Sequence, residues 1–272
     1  MNNQDQHVSL TERSYWEDTW QSVELPKPVD LSDRSLRSHA NMVFHRYFSD
    51  ILQTAGVQNG RLVEIGCAQS KWLPYFAKIH GFTITGLDYT AIGCARASEL
   101  LRRAGCQGEI VQGDMFNPPE NMKARYDVVL SFGLVEHFPD TAGAIRACAA
   151  LAKPAGLIMT VIPNMVGIIG MGQRWLDRII YDKHVPLDGE ALRAAHEKCG
   201  LAVLQCGYLM SANFAVINHS NLRPQIVNKL ARGMLIAATA AVWVVERMGI
   251  RVTPTRFLSP YVVCVARNPS AP

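Results

Sequence analysis

No two of the seven cysteines (67, 94, 106, 148, 199, 206 and 264) stand as a Cys-x-x-Cys pair. An odd number at irregular spacing argues against a zinc site or disulfide framework, and for reduced thiols in a cytoplasmic protein. The first ten residues, "MNNQDQHVSL", lack the basic-then-apolar order of a secretory signal. Charged residues are only 18% of the 272, against 49% hydrophobic, which excludes a disordered polyelectrolyte and describes an ordinary globular chain. Internal repeats and low-complexity tracts are missing. So is any Lys/Arg cluster interleaved with aromatics, and nucleic acid is not an expected partner. The run "GMLIAATAAVWVV" at 233–245 has 13 residues, short of the roughly 20 that span a bilayer. A packed helix over 224–249 is the first expectation there. A self-association face, giving a homodimer, comes second, and peripheral membrane contact through 226–251 third.

The formal charge of +4 is unevenly placed: from Asn221 onward seven Lys/Arg face Glu246 alone, a local +6. A solvated face is the plain reading, and a membrane surface or acidic partner the other.

What is present is alternation. "RLVEIG", "FTITGLD", "EIVQGD", "YDVVLSFG" and "LIMTVIP" read as strands, separated by the helical segments "SKWLPYFAKIH", "AIGCARASELLRRAG" and "TAGAIRACAALA", the last stopped by "KPAG". Strands apolar on both faces predict an α/β fold, a mostly parallel sheet covered by helices on both sides. Upstream, Ser9 and Glu12 have capping-box spacing before a helix "SYWEDTWQSV", and a second helix is expected from about Ser32 to Thr54. Residues 1–56 are therefore expected to form an N-terminal helical lid, and 57–272 the sheet domain with a cover segment at 164–190. "LAVLQCGYLM" and "YVVCVARN" supply strands six and seven.

In such sheets ligands sit beyond the carboxyl ends of the strands. The first turn is Glu64-Ile65-Gly66-Cys67-Ala68-Gln69-Ser70. A dinucleotide fingerprint needs three glycines, of which only Gly66 is in place. An anionic Glu64 would repel a pyrophosphate and welcome a cationic ligand.

This turn resembles motif I of the class I S-adenosylmethionine-dependent methyltransferases, with Ala68 and Ser70 where later glycines usually stand. "GLDYT", "VQGDMF" and "YDVVLSFGLVEHFPD" are similar to the motifs that follow, so the resemblance spans about 61–164. It implies a Rossmann-like seven-stranded fold with antiparallel-type strands six and seven, S-adenosylmethionine as cofactor and no metal. In this reading Glu64, Gly66, Cys67 and Ala68 form the first loop. Asp88, with Tyr89 beside it, takes both ribose hydroxyls; Asp114, Met115 and Phe116 meet the adenine. Ser131, Phe132 and Gly133 run along the methionine moiety, and His137 supports the loop by hydrogen bonding. Similar Tyr-Trp-x3-Trp helices in small-molecule members close over the cofactor, which implicates Tyr15, Trp16 and Trp20.

For the acceptor side, Asn164 follows strand five, and Tyr181 and His184 share a face of the cover segment, His184 being the preferred base. Arg37 and Asn213 are further substrate-side candidates. No Asn-Pro-Pro-aromatic tetrapeptide follows strand four, which argues against a DNA amino-methyltransferase. A small metabolite methylated on O, N or S is expected. Two alternatives remain: transfer or cyclisation of the aminocarboxypropyl group with release of methylthioadenosine, and a non-catalytic binding or membrane-docking protein of the same fold.

Overall fold

The computed structural model describes residues 8–219 and 222–269, so residues 1–7, 220–221 and 270–272 of the expected domains lie outside the described residues. Five parallel strands form the spine: β1 (Arg61–Ile65), β2 (Thr83–Asp88), β3 (Glu109–Gln112), β4 (Tyr126–Phe132) and β5 (Ala152–Pro163). With β6 (Ala202–Leu209) and β7 (Tyr261–Arg267) they make one sheet in the order β3-β2-β1-β4-β5-β7-β6. Only β7 is reversed, pairing antiparallel with both β5 and β6. Strand six thus runs with the first five, which corrects the expectation of two antiparallel-type strands.

The helices are α1 (Arg13–Ser22), α2 (His39–Ala55), α3 (Trp72–His80), α4 (Ala91–Arg103), α5 (Thr141–Ala149), α6 (Ile168–Leu176), α7 (Arg178–Tyr181), α8 (Gly189–Lys198) and α9 (Gln225–Arg247). Because side chains alternate along a strand, each strand feeds two cores. Leu62, Ile84, Val128 and Leu130 pack on one face against α2, α3 and α4. Val63, Ile65, Leu87 and Val129 pack on the other against α5 and α8. In the first core Phe48 of α2 lies 5.2 Å from Trp72 and 5.1 Å from Phe76, ring to ring. The expected 1–56 lid is therefore divided. Helix α2 is core, because its buried face carries Phe44, Phe48, Ile51 and Leu52; α1 buries no residue fully.

Local chemistry moves three boundaries. Ser9 Oγ accepts the Thr11 N–H at 3.2 Å, so the capping box with Glu12 is not made. Asp30 and Asp33 accept the N–H groups of Ser32 and Ser35, both at 2.8 Å. These side-chain turns compete with helix formation and delay α2 to His39. "KPAG" does not stop α5. It lies inside β5 as a bulge against β4, with Ala155 at φ +62° and a Gly156 whose Cβ would meet two carbonyl oxygens at 2.9 Å.

Helix α9 continues well beyond its apolar run, to 23 residues, and is long and apolar enough to cross a membrane by length and composition. It buries only Thr239 and Trp243, so the expected packed helix is packed along a single stripe. Thr239 Oγ1 accepts the N–H groups of Phe214 and Ala215 at 2.9 and 3.2 Å. Trp243 donates to the Ala212 carbonyl at 2.8 Å and stacks on His39 at 4.7 Å. His39 also pairs with Glu246 at 3.0 Å.

A core role for α2 has a measurable consequence. Phe48→Ala should lower the unfolding free energy by about 3–5 kcal/mol in guanidinium titrations; a near-neutral result would mean α2 is a detachable cover.

Candidate active site

The cavity begins where β1 ends. Gly66 adopts φ +74°, a left-handed conformation open to glycine, and its N–H bonds the Leu87 carbonyl at 2.8 Å. Ser70, in a position where a third glycine was expected, has two tasks. Its Oγ accepts the Trp72 and Leu73 N–H groups at 3.1 and 3.2 Å, capping α3. The same hydroxyl donates to the Glu64 carboxylate in a short bond. Glu64 is 2% exposed, and burial pushes its carboxyl up to about 8 despite that bond. Near neutrality it holds a proton for most of the time. The expected surface anion is thus an internal brace.

Asp88 closes the second turn and is buried. Its Oδ1 accepts the Thr90 N–H at 2.9 Å and the Thr90 hydroxyl at 2.7 Å, while Oδ2 accepts the Ala68 N–H at 3.2 Å. One carboxylate therefore staples the first loop to the second. Asp114, at the end of β3, accepts the Phe116 N–H at 3.0 Å, and Phe116 meets Phe138 edge-on at 5.3 Å.

These turns open into a cavity of about 810 Å³. Its floor and sides are Ile65, Gly66, Leu87–Tyr89, Gly113–Asn117 and Phe132–Leu134, with His137 and Phe138 beyond. Helix α1 roofs it through Trp16 and Trp20, stacked at 5.2 Å and 22°. Trp16 donates to Thr11 Oγ1 at 3.0 Å and meets His137 edge-on at 5.1 Å. Leu10 N–H bonds the His137 carbonyl at 2.8 Å, which pins residues 9–11 over one side.

Behind this wall lies a buried polar group. The Nδ1 atoms of His137 and His184 face the carbonyls of Lys183 and Ile180, both at 2.7 Å. A ring nitrogen facing a carbonyl must donate, so in the neutral tautomers each Nε2 carries the lone pair. The rings are 4.7 Å apart. Burial, with His184 beside it, holds His137 down to about 3, and burial also lowers His184. Among the described residues neither Glu136 oxygen has a hydrogen-bond partner, and burial raises that carboxyl to about 8. Among the described residues Glu136, His137 and His184 could together offer a cation three ligand atoms, all within 4.8 Å of one another.

The cavity thus brings together Trp16, Trp20, Gly66, Asp88, Tyr89, Asp114, Met115, Phe116, Phe132, Gly133 and His137. Tyr15, Glu64, Cys67, Ala68 and Ser131 are not in its lining. Tyr15 instead faces the Lys183 ammonium at 4.1 Å, and Cys67, Ala68 and Ser131 are buried below the turns. The acceptor-side candidates fall outside as well. Asn164 spends its amide on the carbonyls of Arg256 and Ser259, both at 2.8 Å, which fixes a loop. Tyr181 packs under Arg174, Arg37 is exposed on the turn before α2, and Asn213 is buried just before the 214–216 turn beside α9. His184 reaches the wall only through His137. Ser9, Thr11, Asn117 and Phe138 line the cavity without a sequence signal of their own.

A family model described as a methyltransferase domain matches residues 37–206. The chain belongs to the class I S-adenosylmethionine-dependent methyltransferase family. Among curated relatives, the ubiquinone biosynthesis O-methyltransferase of Yersinia pestis (strain Pestoides F) is 35% identical over 109 residues, 39% of this chain. The match covers 44% of that relative's length. Two solved structures share the fold of this methyltransferase-family chain. One, assigned as a sarcosine dimethylglycine methyltransferase from Galdieria sulphuraria, has a TM-score of 0.61 at 17% identity, covering 94% of this chain and 97% of its own. The other, a geranyl diphosphate C-methyltransferase from Streptomyces coelicolor A3(2), has a TM-score of 0.58 at 14% identity, covering 95% and 100%.

The two buried acids of this family member make its stability depend on pH. Both bind their protons more tightly folded than at the unfolded value of 4.5. Their stabilising effect is complete below that value and is lost as the pH rises through about 8. In guanidinium titrations Glu136→Gln should lose less stability across that window than the parent chain; identical slopes would contradict the assignment.

Proposed function

We propose that this chain transfers a methyl group from S-adenosylmethionine to an oxygen, nitrogen or sulfur atom of a small metabolite. The observation that carries the reading is one cavity joining the tips of four strands, with acids at its floor and two tryptophan faces above them. The donors and acceptors fit the cofactor. Asp88 has about four lone-pair sites, of which three hold Thr90 and Ala68 donors. One site on Oδ2 is left for a ribose hydroxyl, rather than the pair that the resemblance implies. Asp114, Met115 and Phe116 suit the adenine. Gly66 and the Phe132–Gly133 backbone suit the methionine end.

Bound there, the cofactor supplies a methyl group on a positively charged sulfur. The chain's own contribution is alignment and a dry enclosure. Positioning of this kind supplies roughly 7–11 kcal/mol, and each tryptophan face attracts a desolvated cation by about 0.5–2 kcal/mol. His137, held neutral, adds no repelling charge to that wall, and near neutrality it is a poor proton acceptor. We therefore assign His137 to positioning, with His184, which does not line the cavity and which burial also lowers, packed behind it as its support. The name of the Yersinia relative favours oxygen as the acceptor atom.

Incubation of the full chain with S-adenosylmethionine and a metabolite extract, read by mass spectrometry, should yield S-adenosylhomocysteine. Methylthioadenosine, or neither product, would overturn the reading. In calorimetry, Trp20→Ala should weaken S-adenosylmethionine binding by roughly 2- to 30-fold without moving the unfolding midpoint.

A further inference from the structure

Helix α9 presents two opposite faces. Asn228, Ala231, Leu235, Thr239, Val242, Trp243 and Glu246 turn toward the domain and are at least partly buried. On the opposite side Ile226, Leu230, Met234, Ala237, Ala241, Val244 and Met248 recur at three- and four-residue spacing, all exposed. Met234 is 71% exposed and Met248 73%. Lys229, to one side of that stripe, is exposed too; Arg232 is exposed on the Asn228–Leu235 row, and Arg247 is exposed and donates to the Ser35 carbonyl at 2.7 Å. At 1.5 Å per residue the stripe is about 34 Å long.

A second exposed apolar row lies close by. Met171, Trp175 and Ile179 follow at four-residue steps along α6 and α7, and Trp175 is 88% exposed, with Arg174 beside it. The two elements are tied together. Gln173 of α6 accepts the Asn218 N–H at 2.8 Å, and the neighbouring His219 bonds Asn228 of α9 at 2.9 Å.

We infer that the outer face of α9, with the Met171–Trp175–Ile179 row beside it, docks on the surface of a membrane containing anionic lipid. This does not rest on the reaction proposed above. Crossing the membrane is excluded by the connections. Leu209 at the end of β6 and Tyr261 at the start of β7 are register partners, so the chain leaves and re-enters the domain at one place. Thr239, Trp243 and Glu246 also hold the helix along the domain. A helix with one apolar face, one anchored face and basic residues at the margin lies in the interface plane, its long cations reaching headgroup phosphates. Charge selects lipid over a second copy of the chain. A two-fold contact sets the same patch against itself and would bring together two helices that each carry Lys229, Arg232 and Arg247 against Glu246 alone, a local +2, whereas an anionic leaflet complements them.

Flotation of the full chain with vesicles tests this directly. Partition onto phosphatidylcholine vesicles containing phosphatidylglycerol should exceed that onto pure phosphatidylcholine by about tenfold or more, and should fall with added salt. The double variant Leu230→Asp/Met234→Asp should lose binding to both. Lys229→Glu/Arg232→Glu should lose the preference for phosphatidylglycerol. These side chains are exposed, so unfolding midpoints should stay unchanged and separate lost docking from lost folding. Equal binding by the Asp variant, or no binding by the parent chain to either vesicle, overturns the proposal. So does a dimer in sedimentation equilibrium that Leu230→Asp abolishes, because a second copy would then cover the face.

Discussion

The Asp88 carboxylate is the constraint on which the cavity depends. It is buried, and it accepts three donors from two different loops. Ala68 belongs to the first strand-to-helix turn and Thr90 to the second, and the Gly66 N–H to Leu87 carbonyl bond joins the same two turns. Burial raises the cost of leaving any of these groups unpaired, so the two turns are fixed as one unit. Everything that lines the floor is then positioned by the register of β1 against β2, where Ile65 stands opposite Leu87.

Above that rigid floor the enclosure is made of different material. Helix α1 buries no side chain fully. It is held by packing along α4, by single contacts at its ends and by aromatic faces, among them Trp16 on His137 and Arg13 near Tyr89 at 5.8 Å. Low burial marks the parts of a protein that open at small free-energy cost. The contrast between a stapled floor and a lightly held roof suits a site that must admit a ligand and then exclude water.

The strands were legible from the sequence because both sheet faces are covered, which leaves near-continuous apolar runs such as those around Val63 and Val129. Asp88 and Asp114 were legible because they fall at strand ends. Other features depend on burial or on distant partners, and no local pattern encodes these. The charge state of Glu64 is set by the core around it. The contact of Leu10 with His137 joins residues 127 positions apart. Helix α9 was legible nearly to its ends, expected over 224–249 and found at Gln225–Arg247, but the single stripe that holds it, through Thr239 and Trp243, was not. Asn164 had the right place in the chain, after β5, and the wrong direction. Its amide satisfies carbonyls almost a hundred residues away.

Ser70 shows that the loss of a glycine from a familiar pattern need not be decay. Its hydroxyl gives one hydrogen to Glu64 and takes two from the first turn of α3. Protein engineers often repair such departures by reverting to the family consensus. Here a glycine at this position would strip the helix of its cap and leave the buried Glu64 carboxyl without the hydroxyl that donates to it. Ser70 and Glu64 are coupled through that bond, and redesign of this loop toward the family pattern has to change both or neither.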